Sequence, residues 1–318
     1  MAAQAKLAAV KPPVERLAAL RQNVRRVYLG PQRGLDLALT SLLAGGHVLL
    51  DDVPGVGKTT LARALARSVA LGCQRVQFTS DLLPGDVTGS SVFDPRASAF
   101  TFRPGPVFTP ILIADEINRA SPRTQSALLE CMEERAVTVD GVRHALPDPF
   151  WVMATQNPVE TQGTFLLPRS QLDRFLIRLS LGYPDAASEL AILEKDRTGE
   201  SPEQLEAVLA PEELRALQAH VRGLHAADAV RAYVVAVTRA TRDNPVFSLG
   251  AGPRASIGLL RAACGWAVLC GRDFVSVDDV KAVAHAVLAH RLVEADGEVS
   301  PAREETVAGV LKSVPSPV

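Results

Sequence analysis

Residues 47 to 69 narrow the fold more than any other stretch of this chain. His47-Val48-Leu49-Leu50 is an apolar run of strand length, Asp52-Val53-Pro54-Gly55-Val56-Gly57-Lys58-Thr59 comes after it, and Leu61, Leu65 and Val69 then mark one face of a helix. Strand, glycine-rich loop and helix in that order make an anion cradle: glycines let successive N–H groups converge on a phosphate at the positive end of the helix. In such a cradle Lys58 reaches the outer phosphates of a nucleoside triphosphate and the Thr59 hydroxyl faces Mg²⁺. Pro54, Gly55, Val56, Gly57, Lys58, Thr59 and Thr60 are therefore the candidate nucleotide contacts. Asp52 stands where such loops usually carry their first glycine, and Gly-Lys-Ser/Thr arises by chance in roughly one chain of this length in six. An ordinary turn before a helix is the competing reading, so the rest of the chain has to decide.

Two further segments bear on it. Ile111-Leu112-Ile113-Ala114-Asp115-Glu116 ends a run too apolar for a surface strand in two adjacent carboxylates. Asp115 can hold Mg²⁺ through its water shell, and Glu116 can polarise a water for attack on a γ-phosphate. Taken alone the pair is equally a strand ending in solvated acids. Trp151-Val152-Met153-Ala154-Thr155-Gln156-Asn157-Pro158 puts an amide just beyond another buried strand, where Asn157 either positions the attacking water or simply starts a turn before proline.

Composition removes several classes. The 318 residues suffice for about two domains. At 47% hydrophobic and 22% charged the chain reads as globular, and 34 basic against 35 acidic residues leave a formal charge of -1. That balance argues against a protein held mainly by nucleic-acid phosphates. Cys73, Cys131, Cys264 and Cys270 form no C-x-x-C pair or zinc spacing, which fits a reduced cytoplasmic setting. Met1 to Pro13 lacks the compact apolar core of a leader and reads as a flexible N-terminus, and no apolar run is long enough for membrane insertion.

Along the chain, apolar strand-like runs alternate with helical patterns up to about residue 180, and helical patterns dominate afterwards. The expected division is 14–183, an α/β unit, and 184–318, a helical unit, with the change near Tyr183-Pro184-Asp185. Strands are expected at 47–50, 75–78, 111–114, 150–154 and 175–179, their continuous apolar character indicating a parallel sheet covered on both faces. Hairpins are expected within 85–110 and at Val137 to Val142, where Asp140-Gly141 supplies the positive φ angles of a primed turn. In the second unit Leu214, Leu217, Val221 and Leu224, and likewise Ile257, Leu260, Cys264 and Val268, recur at helical spacing, and Ser276 with Asp279 resembles a capping box.

Taken together, Gly45-Gly46-His47-Val48-Leu49-Leu50 with the loop, Ala114-Asp115-Glu116-Ile117-Asn118-Arg119-Ala120, Thr124-Gln125-Ser126-Ala127-Leu128-Leu129-Glu130, Ala154-Thr155-Gln156-Asn157-Pro158 and Gln171-Leu172-Asp173-Arg174-Phe175 occur in the order found in MoxR-type AAA+ ATPases. The chain resembles that family over nearly its whole length. The resemblance implies a phosphate-loop ATPase core with inserted hairpins, a small helical lid, and a ring, usually a hexamer, with ATP and Mg²⁺ at subunit boundaries. It gives Asn157 the first sensor position, makes Arg174 a finger onto the neighbouring subunit's γ-phosphate, and makes Arg254, in Gly252-Pro253-Arg254-Ala255-Ser256, a sensor at the γ-phosphate of its own subunit. Leu29 and Gly30, in Val27-Tyr28-Leu29-Gly30, fall where the adenine is flanked. Arg119 either touches a neighbour's nucleotide or braces the helix opening at Ser121-Pro122. Arg169 replaces the Glu common in the family, so a boundary ion pair is expected to differ.

What the resemblance implies in function is chaperone-like remodelling or maturation of a client protein, including metal-cofactor insertion, often with a von Willebrand A domain partner. Two other classes stay open on the residues. Arg96, Arg103, Arg135 and Arg143 lie on or near the hairpins, as a nucleic-acid-stimulated motor of the related helix-2-insert branch would require, although few aromatics accompany them. A nucleotide-switched scaffold would bind ATP and leave it intact, against which Glu116, Asn157 and Arg174 argue.

Overall fold

The computed structural model describes residues 14–53, 55–96, 98–157, 163–295 and 304–317; the expected flexible stretch Met1 to Pro13, and Pro54, lie outside them. In chain order the elements are α1 (Leu17–Arg25), α2 (Gln32–Leu43), β1 (Val48–Asp51), α3 (Lys58–Ser68), β2 (Cys73–Gln77), α4 (Pro84–Thr88), β3 (Gly89–Asp94), β4 (Ala99–Pro104), β5 (Ile111–Asp115), α5 (Pro122–Glu134), β6 (Ala136–Val139), β7 (Val142–Ala145), β8 (Trp151–Gln156), α6 (Arg169–Leu172) and β9 (Ile177–Leu179). Then come α7 (Ala186–Thr198), α8 (Pro211–Gly223), α9 (Asp228–Arg242), β10 (Phe247–Leu249), α10 (Pro253–Leu269), α11 (Val277–Leu288), β11 (Val293–Glu294) and α12 (Glu304–Ser313).

All five expected strands join one parallel sheet in the order β2-β5-β8-β1-β9. Successive residues of a strand point to opposite faces, and in β1, β5 and β8 both faces are covered, whereas the edge strand β2 keeps Gln74, Arg75 and Gln77 exposed. Val48, Leu50, Ile111, Ile113, Trp151 and Met153 belong to a core shared with α1, α2, α3 and the C-terminal helices. Leu49, Leu112, Ala114, Val152 and Ala154 belong to a second core under α5. Continuous apolar runs were needed in β1, β5 and β8 because neither face of those strands is free.

The two expected hairpins are β3-β4 and β6-β7; Asp140 and Gly141 at the tip of the second have φ of 49° and 78°. Phe93 and Phe100 pair edge-on near the tip of the first and are exposed. Phe102 of β4 stacks on His144 of β7 with ring centroids 3.9 Å apart, so the hairpins touch.

The expected boundary falls between the end of β9 and the start of α7, beyond which the chain is helical apart from the short β10-β11 pair. Ser276 and Asp279 form the capping box, with the Ser276 amide donating to Asp279 Oδ2 at 2.8 Å. The helical spacing in α10 holds, but Ile257 is exposed: the buried face is built mostly from small residues, Ala255, Gly258, Ala262, Ala263, Gly265 and Ala267 among them. Those small residues let α10 approach α2 so closely that a Cβ on Gly265 would lie 2.8 Å from the Thr40 carbonyl oxygen. Gly46 is equally constrained, since a Cβ there would lie 2.4 Å from Leu176. None of the helices is long and apolar enough to cross a membrane among the described residues.

Candidate active site

In a parallel sheet the loops that leave the C-terminal ends of the strands gather at one edge, where α/β proteins bind ligands. At that edge here are the loop after β1, Gln77 at the end of β2, Asp115 and Glu116 after β5, and Asn157 after β8. Gly55, Gly57, Lys58, Thr59, Thr60, Arg75, Gln77, Asp115, Glu116 and Asn157 line one cleft of about 330 Å³. Gly55 and Gly57 have φ of 89° and 87°, conformations that explain why glycine occupies both places. Gly57 caps α3, so the free amides of the first helical turn face the cleft.

Lys58 Nζ donates to the Asp52 carbonyl at 2.8 Å. Burial pulls the Lys58 ammonium below its usual range, while Asp115, Asp52, Glu116 and Asp51 pull it back. Asp115 is nearly buried: Thr155 Oγ1 donates to its Oδ1 at 2.5 Å and Arg75 Nε to its Oδ2 at 3.0 Å. Glu116 takes φ of 54°, rare for a residue with a side chain, and its amide donates to Thr155 Oγ1 at 2.9 Å. Its carboxylate accepts from Gln77 Nε2 at 2.7 Å and from Arg119 Nη1 at 3.1 Å. Arg119 thus meets the general-base candidate of its own chain, while Ser121 caps α5 with Pro122 in its first turn.

Several site residues carry no motif that could have revealed them. Arg75 and Gln77 sit on the outermost strand and orient Asp115 and Glu116 from the side. Asp52, the departure from the loop pattern, has a structural job: its carboxylate accepts from Ser180 Oγ at 2.6 Å and from the amides of Leu181 and Gly182 at 2.7 and 3.1 Å. Val56 is packed in the core, so only its backbone is offered to a ligand. Leu29 and Gly30 do not line the phosphate cleft, and the Tyr28 ring, which crowds Gly30 and approaches Gly57 from the other side, is buried.

The arginines lie elsewhere. Leu176 N donates to the His47 carbonyl at 2.9 Å, which fixes Arg174 at the N-terminal edge of the sheet, beside the start of β1. The four-residue β1 separates this edge from the loop by about 13 Å of strand. Arg254 is there too. It lines no part of the phosphate cleft of its own chain: Arg254 Nη2 pairs with Glu133 at 2.9 Å, and Glu133 also pairs with Arg174 Nε at 3.1 Å. Arg174, Arg254, Arg291, Asp173 and Glu133 line a second cleft of about 400 Å³ that shares no residue with the first. The cause is the docking of α10 along α2, which brings its N-terminal turns beside Leu176: a Cβ on Gly258 would lie 3.5 Å from that side chain. Arg169 donates to the Leu292 carbonyl at 3.0 Å, tying α6 to the C-terminal helices.

Residues 47–177 match the model of the ATPase family associated with various cellular activities, and residues 239–309 match an AAA lid domain. The chain is 49% identical over 272 residues to the Bacillus subtilis protein YeaC, covering 86% of this chain and 85% of that one. It is 41% identical over 308 residues to Chaperone MoxR1 of Mycobacterium tuberculosis, covering 93% and 81%. A Cytophaga hutchinsonii crystal structure assigned as an ATPase superposes with a TM-score of 0.88 at 31% identity, covering 96% of each chain. With its parallel core and helical lid, the chain belongs to the MoxR family of AAA+ ATPases and is an ATP-hydrolysing enzyme.

Proposed function

We propose that this enzyme works as a cytoplasmic ring, a hexamer, that couples ATP hydrolysis to remodelling or maturation of a client protein. One observation carries the reading: the phosphate cleft and the Arg174-Arg254 pair occupy opposite edges of one sheet, so a complete site requires a second copy. Head-to-tail repetition of such an interface closes a ring when the rotation between copies divides a full turn. In this scheme residues 14–183 are the ATPase core and 184–318 the lid, and Leu29 and Gly30 flank the adenine.

Pro54, Gly55, Val56, Gly57 and Thr60 wrap the phosphates through the loop and the first turn of α3, and Lys58 neutralises the outer oxygens. Thr59 and Asp115 are hard oxygen donors on the same cleft and suit Mg²⁺; Asp115, already holding Thr155 and Arg75, would reach it through water. When bound, the ion offsets phosphate charge. Glu116 accepts the proton of the attacking water, Asn157 holds that water, and Arg174 with Arg254 stabilises charge from the next subunit.

The chaperone name of a relative at 41% identity supports a protein client, and we extend it to metal-cofactor insertion with a von Willebrand A domain partner. The exposed Phe93-Phe100 tip suits contact with a client. The test is capture with Glu116→Gln in ATP and in ADP. A partner protein retained only with ATP supports the proposal. No ATP-dependent partner, together with DNA-stimulated turnover that salt suppresses, would replace it with a nucleic-acid motor.

A further inference from the structure

Five of the charged groups lining the second cleft form a chain of pairs alternating in sign: Arg291, Asp173, Arg254, Glu133 and Arg174. The Arg291 side chain is 6% exposed; it grips Asp173 Oδ1 at 2.6 Å and the Phe175 carbonyl at 2.7 Å, which fixes the backbone beside Arg174. Asp173 reaches Arg254 only at 3.6 Å, so Glu133 is the tighter tether. It sits in the last turn of α5 and uses one oxygen for each arginine, Oε1 for Arg254 and Oε2 for Arg174.

Two guanidiniums that must enter one phosphate site together repel each other, and each long side chain loses rotamer freedom on being fixed. An anion bridging both before the phosphate arrives answers the two problems at once. The bridge also joins the lid, through Arg254 on α10, to the core, through Arg174 before β9. Arg135 and Arg261 line the same cleft, so five guanidiniums stand against two carboxylates and leave it positive, as a docking face for a γ-phosphate needs.

We propose that Glu133 is a positioning residue that presets Arg174 and Arg254 as a pair for the neighbouring copy's nucleotide. This rests on the shared-site reading above. Glu133 is not among the residues of the phosphate cleft; it acts through the two arginines, and its removal leaves the phosphate cleft of its own subunit intact.

The test is mixed-ring complementation. Glu133→Ala should assemble, bind Mg·ATP as wild type does and keep its KM, while kcat falls about 10–100-fold, the scale of a misplaced catalytic group. Mixing it with Lys58→Ala should restore turnover, because the intact loop of one variant meets the intact arginines of the other. Mixing it with Arg174→Ala should not. Glu133→Gln, which keeps size and one acceptor, should show the same pattern more weakly and serves if the alanine variant misfolds. Wild-type kcat in both variants overturns the proposal, and so does a loss that Lys58→Ala fails to rescue while the control mixture of Arg174→Ala with Lys58→Ala is rescued. Failure of that control instead removes the shared site, and this proposal with it.

Discussion

Asp52 and Leu181 are joined across the sheet by a 2.7 Å hydrogen bond from the Leu181 amide to the Asp52 carboxylate, which also takes the Ser180 hydroxyl and the Gly182 amide. The residue that breaks the usual loop pattern therefore anchors the segment leaving β9. Asp52→Ala strands two amides and a hydroxyl that now share one buried acceptor, and should cost about 3 kcal/mol. The check is the urea midpoint, and an unchanged midpoint would mean that solvent replaces the carboxylate without loss.

Glu116→Gln keeps the shape of the cleft and removes the proposed base. Hydrolysis should slow by about 10²–10⁴ with Mg·ATP affinity preserved. Single-turnover assays beside calorimetry separate the two quantities, and wild-type turnover would take Glu116 out of the chemistry.

Arg254→Ala should lose activity and regain part of it when mixed with Lys58→Ala, because the structure sets Arg254 beside Arg174. An arginine serving its own subunit's phosphate would give no rescue, since each variant would then carry its defect in its own site.

Strands were readable because their burial is complete: Val48 to Leu50, Ile111 to Ala114 and Trp151 to Ala154 have water on neither face, and only apolar runs satisfy that. Asp140-Gly141 and Ser276 with Asp279 were readable because local backbone chemistry dictates them. Gln77, Arg75 and Glu133 were not. Their roles depend on which strand lies at the edge of the sheet and on where α5 ends relative to β9, distances between segments that no local pattern encodes. The place of Arg254 was hidden for the same reason: its helix was legible, but the packing of α10 on α2 that sets it beside Glu133 was not.

His47 is fully buried and satisfied as a neutral ring, donating from Nε2 to the Met132 carbonyl at 3.2 Å and accepting the Val152 amide on Nδ1 at 3.0 Å. Burial first, then Arg135, lowers its pKa to about 3. The unfolded chain takes up this proton near 6.5 and the folded chain does not, so its contribution is intact above pH 6.5 and drains away as pH falls. Between pH 6.5 and 5 it should remove up to about 1.4 kcal/mol per unit. Urea unfolding at several pH values checks the slope, which His47→Gln should flatten.

Gly265 brings α10 against Thr40 of α2 with no room for a methyl group. Separating two helices seated backbone to backbone opens a void, which couples α10 to α2. In the ring proposed above, that coupling favours motion of whole protomers against their neighbours, so the stroke would lie in the seams.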